Sequence, residues 1–364
     1  MRRLMILLLL LPLSFGKAYA EEPEMEAMQI FDSAQMGTGL REEEREVSGE
    51  PGVLQYDAGA ALNRLYRYFY GILKDELHAS LNFAAELLGI VLLCAFSCAV
   101  CTEGKIRSLV EICAVCAAAG ILLGGMRGLI SQTVEAVYRL SEYSKVSLPV
   151  VYSAAAASGG ASTAALGYAG ACLALDVLMN ATQKLVIPLV YATLCLTLAN
   201  VVFPHPLLGA IEKLSKWAGK TVLTILMLAF TAYLGMSTLI SRNADAAAVK
   251  VTRSVISGAL PVVGGLLADA SKAVLSAASV MLSCTGVFGL IAVCAICAGP
   301  IAVLSVKSFL LRTVSATAEA VQASRLEKLL AGVNGAMGML MGILGACAVM
   351  LFLSFAAAMR VITV

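Results

Sequence analysis

Six stretches, each about twenty residues or a little longer, carry at most one charge apiece: 82–101, 108–126, 185–203, 221–241, 273–298 and 336–359. A helix of about 20 residues crosses the roughly 30 Å hydrocarbon core of a bilayer. Lipid offers backbone groups no hydrogen-bond partners, so only helices and closed barrels can span it. These runs are continuously apolar rather than alternating, which points to helices. Two further regions, 147–182 and 254–268, are apolar but rich in Gly, Ala, Ser and Pro. The expectation is an all-α, polytopic transmembrane helical bundle of about six to eight spans, broken or re-entrant segments among them.

The rest of the chain agrees. It is 60% hydrophobic and only 14% charged, too little polar surface to coat a water-facing globule. Ten of the 24 acidic residues fall between Glu21 and Glu50, so the remainder is more apolar still. The net charge is +2 with no basic cluster, which gives no footing for nucleic acid.

Arg2 and Arg3, the apolar run Leu4–Leu13 and Ala18-Tyr19-Ala20 have the pattern of a cleaved signal peptide over residues 1–20. Residues 21–56 are acidic, contain Gly and Pro, and read as a flexible extracytoplasmic leader. In 57–80, Leu62, Leu65, Tyr66, Phe69, Leu73 and Leu77 recur at helical spacing, with Arg64, Arg67, Lys74 and Glu76 between them. This is an amphipathic helix, packed on the bundle or lying at the interface. Residues 81–364 form the multispanning domain. Lys105 and Arg107 after the first span predict a cytoplasmic link. Two later loops mix signs: Glu212, Lys213, Lys216 and Lys220 in one, Arg325, Glu327 and Lys328 in the other.

Candidate site residues lie where backbone or charge is unusual for lipid. Ser158, Gly159, Gly160 and Ser162 form one small-residue passage; Pro261, Gly264 and Gly265 interrupt another. Each is read either as a broken helix lining a path or as a tight crossing or short loop. Asp176 and Asp269 are acids among apolar neighbours, either intramembrane charges or residues of the headgroup zone. Three C-x-x-C pairs (Cys98/Cys101, Cys113/Cys116, Cys294/Cys297) sit in apolar runs, and the chain holds only His78 and His205. They read as small apolar residues, so no metal or cofactor is expected. Phosphate-loop, H-E-x-x-H and G-x-S-x-G patterns do not occur, and no catalytic residue is assigned.

Several of these passages resemble the stage III sporulation protein AE family of endospore-forming bacteria. Leu148-Pro149 followed by Ser158-Gly159-Gly160-Ala161-Ser162-Thr163-Ala164 is similar to the family's proline and small-residue passage. Ile187-Pro188-Leu189, Leu260-Pro261-Val262-Val263-Gly264-Gly265 with Ala268-Asp269-Ala270, and the region Gly286–Ile301 resemble later family elements. The resemblance covers about 57–360. It implies a multi-pass protein of the mother-cell membrane surrounding the forespore. Its implied partners are the other stage III A proteins and the forespore protein Q, in a secretion-like channel complex where this subunit is non-enzymatic. A stand-alone secondary transporter and a membrane scaffold for partner proteins are the alternatives.

Overall fold

The structure, a computed structural model, describes residues 40–48, 58–100, 104–157, 161–259 and 264–359, with side chains except at 58, 104, 105 and 237–284. In chain order the elements are α1 (Glu42–Ser48), α2 (Ala58–Val100), α3 (Gly104–Ala157) and α4 (Ala161–Ala181). A π-helical turn (Thr182–Val186) leads into α5 (Ile187–Val202), then α6 (Pro206–Ala259), α7 (Gly264–Ala320) and α8 (Ser324–Met359). No strand occurs among the described residues. Among the described residues, six rods, with α4, the π turn and α5 counted as one, are long and apolar enough to cross a membrane. The all-α polytopic bundle is observed, at the lower end of the expected span count.

The rods are far longer than a bilayer needs. α3 and α6 each have 54 residues, about 80 Å at 1.5 Å per residue. The amphipathic 57–80 region and the apolar run after it are one continuous helix. α3 likewise continues through 127–147, where no apolar span is legible. There Leu129, Ile130, Thr133, Ala136, Val137, Leu140 and Ser144 are buried at 3.6-residue spacing, and Arg127, Glu135, Glu142 and Lys145 face out. The inward face of α2 also differs from the expected one. Tyr66 and Leu77 are exposed, and Glu76 turns in to meet Lys307 on α7 at 3.5 Å. The charges read as loops belong to helices: Glu212 to Lys220 lie in α6, and Arg325 to Lys328 open α8. Ion pairing makes this tolerable, as Lys216 meets Glu212 at 2.6 Å and Arg325 meets Glu111 at 3.3 Å.

Contacts fix the directions. Gly289 faces Phe355 and Ser308 bonds Asn334, so α8 runs back along α7. Gly219 meets Met339 and Gly342 meets Leu223, so α6 and α8 run together. Arg325 reaches Ser108, and Thr197 packs on Gly332. The rods alternate, and the α2–α3, α5–α6 and α7–α8 connections share one end, called basal here. α8 is the hub, packed against α3, α4, α5, α6 and α7, and its apolar stretch is the most buried of the six.

Two local features show how the sequence shapes the rods. Pro188 has no N–H and its ring crowds the carbonyl four residues back. The chain widens just before it, with Ile187 N–H bonding Thr182 O, and α5 continues without a break. α7 ends when Gln322 takes φ 61°, with Ala323 N–H returning to Ala318 O at 2.9 Å. That five-residue return closes the helix. Within the stretch read as a flexible leader, α1 packs against α2 and α7. Its Glu44 is buried and paired with Arg139 of α3.

Candidate functional site

Of the residues singled out by sequence, Ser158, Gly159, Gly160 and Pro261 lie outside the described residues. α3 ends at Ala157 and α4 starts at Ala161, while Gly264 and Gly265 open α7 after α6 ends at Ala259. Ser162 is half-buried in the first turn of α4, and Asp176 is exposed near its C-terminal end. The Asp176 carbonyl accepts a bond from Asn180 at 2.9 Å. Asp269 lies in α7, where only the backbone is described. These residues are not gathered into one site.

What surrounds the first junction is a tyrosine seat. α4 folds back on α3, and Gly167 lies beneath Tyr152, where a Cβ would come within 2.6 Å of the ring. Tyr152 donates to the Ser354 carbonyl of α8 at 3.0 Å and packs edge-on to Tyr168. Three residues on, Gly170 receives the ring of Tyr233 from α6, whose hydroxyl donates to Leu166 O at 2.9 Å. The small residues of this passage therefore let bulky rings cross the backbone closely, as membrane helix interfaces require.

Charge gathers elsewhere, on two sides of one short stretch of α8. On the first side, a cavity of about 220 Å³ lies between α2, α3, α7 and α8. Glu76 of α2 accepts from Ser80 at 2.8 Å and faces Lys307 of α7 at 3.5 Å. Phe83, Leu122, Met126 and Met337 form apolar walls. Beside it, Ser308 donates to Asn334 at 2.6 Å. On the other side of α8, Glu212 accepts from Lys216 at 2.6 Å and Thr197 at 2.9 Å, with Asn200 at 3.4 Å. Thr193 and Ser215 pair at 2.9 Å just below. Gly332 and Gly335 leave room for Thr197 and for the Lys216 stem. Residues 332–337 are thus flanked by two partly buried ion pairs.

In hydrocarbon an isolated charge is expensive, and such residues pair or mark a functional path. The sequence held part of this signal: Glu76 stood on an amphipathic helix and Glu212/Lys216 at i,i+4 spacing. Lys307 and Asn334 had no local signature, because each is defined by what crosses it. Among the described residues no group of three or more His, Cys, Asp or Glu side chains is placed to hold a metal, and the described cysteines are free thiols.

No curated protein and no solved structure matches this chain. The sequence profile of stage III sporulation protein AE matches residues 50–361, which takes in the tyrosine seat and both ion pairs, and the chain belongs to that family.

Proposed function

We propose that this protein is a non-enzymatic subunit of the channel-like complex between mother cell and forespore. It sits there in the mother-cell membrane with the other stage III A proteins and the forespore protein Q. The observation that carries this reading is the family match over residues 50–361. It is supported by six apolar rods and by the two ion pairs beside α8, since charge retained inside an apolar bundle is a functional hypothesis by default. The Gly159–Gly160 and Gly264–Gly265 junctions, with Asp176 and Asp269, remain part of the proposed conduit. The test is an in-frame deletion in the host, scored by heat-resistant spore counts and membrane-dye microscopy. A block after engulfment, restored by the wild-type gene and not by Lys307→Glu, is expected. Normal spores without the gene would overturn the reading.

A further inference from the structure

We propose that the crevice at the α5–α6 turn is a binding site for the headgroup of an anionic phospholipid. The crevice is an open depression of about 500 Å³, and its polar side chains are Lys213, His205 and Asn200. Lys213 is exposed and makes no ion pair with a described residue. His205 accepts the Leu207 N–H on Nδ1 at 3.2 Å, which puts the ring proton on Nε2 and leaves that N–H to donate. Asn200 adds an amide whose bond to Glu212 is long, at 3.4 Å. The one nearby carboxylate, Glu212, is already held by Lys216 and Thr197. A ligand with several acceptor oxygens and negative charge, a phosphate diester, fits this set.

The surroundings select a lipid. Phe203, Leu207, Ile211, Leu214 and Trp217 run away from the crevice along the turn and α6, from 49% to 74% exposed. Such a stripe is stable against acyl chains and not against water. Trp217 follows Lys213 by one helical turn, the pairing of aromatic and basic anchors found at bilayer surfaces. The depth is also right. Thr197 meets Gly332, and Arg325 meets Ser108. Seven residues separate Gly332 from Arg325 and Thr197 from Pro204, about 10 Å of helix in each case. The crevice is therefore level with Arg107, Arg325 and the other basal turns. One lipid, headgroup on Lys213 and His205 with a chain along the stripe, satisfies both surfaces.

Trp217 is the single tryptophan of the chain and reports on its own neighbours. The full-length protein is placed in phosphatidylcholine bilayers containing phosphatidylglycerol, with brominated chains on one lipid or the other at equal mole fraction. Brominated phosphatidylglycerol is expected to occupy the quenching site about fivefold more readily, the equivalent of about 1 kcal/mol for one lysine near an anionic surface. Lys213→Gln combined with His205→Ala brings the ratio to parity, with quenching by brominated phosphatidylglycerol falling and quenching by brominated phosphatidylcholine rising as the two lipids share the site. Equal quenching by both lipids in the wild type overturns the site, as does a preference that survives in the double variant. Excess inorganic phosphate leaves the preference intact; its loss would mean that the crevice takes free phosphate and not lipid.

Discussion

Glu212 shows what a single residue must do to remain charged inside this bundle. Its side chain is 13% exposed, and it accepts from an ammonium, a hydroxyl and an amide together. Removing the carboxylate strands the Lys216 ammonium beside Gly335. Glu212→Ala is expected to lower stability by about 2 kcal/mol, less than for a fully buried pair because the site is partly open. Thermal unfolding in detergent should show the loss, and Glu212→Ala with Lys216→Met should recover part of it. The glycines give a sharper test. At Gly170 any Cβ collides with the Tyr233 ring, so Gly170→Val is expected to destabilise by about 2 kcal/mol, in the range of core overpacking. Adding Tyr233→Ala removes the obstacle, and the double variant should be more stable than Gly170→Val alone. If the two changes simply add, the ring is not what the glycine accommodates. The Gly- and Ala-rich stretch 147–182 and the isolated acids were visible in the sequence as oddities, but Gly167 and Gly170 were not singled out within it. Their role was not legible there, because the tyrosines that need Gly167 and Gly170 come from both sequence-near and sequence-distant helices.

At the scale of elements, α1 is held by charge. Arg139 pairs with the buried Glu44, and Arg41 pairs with Glu135 on the same helix. Arg139→Glu is expected to free α1 so that trypsin cleaves after the already exposed Arg41 and Arg45, with protection restored by adding Glu44→Arg. Cleavage unchanged in the single variant would mean that α1 is held by other contacts. The end of α7 offers the opposite sign. Gln322 occupies the left-handed conformation that suits glycine, so Gln322→Gly is expected to raise stability by about 0.5–1 kcal/mol, read from the unfolding midpoint. The apolar cores of the helices were legible from hydropathy alone, since lipid-facing runs must be uninterrupted. Their lengths were not. The second half of α3 carries Arg127, Glu135, Arg139, Glu142 and Lys145 and belongs to the same rod only because its other face packs inward. α1 left still less trace, a short helix whose stability comes from partners about 90 residues away.

For the whole molecule, the alternation of six rods fixes a topology. The α2–α3, α5–α6 and α7–α8 connections share the basal end, and the ends of α3, α6 and α8 at Ala157, Ala259 and Met359 lie away from it. Reporter fusions after Thr102, His205 and Gln322 are expected to share one side of the membrane, the cytoplasmic one by the positive-inside rule. Fusions after Ala157 and Met359 should fall on the other side, and a mixed result would contradict the alternation. The central place of α8 also sets a timetable for synthesis. The helix that every rod from α3 to α7 packs against follows all of them in the chain, so it leaves the ribosome after them. Until then the earlier rods lack the face that Thr197 and Lys216 pack on, at Gly332 and Gly335. A chain that stops short of Ser324 is therefore expected to leave that interior uncovered and to be cleared by the cell's membrane proteases, which pulse-chase of the truncated protein would read, rather than to fold as a smaller bundle.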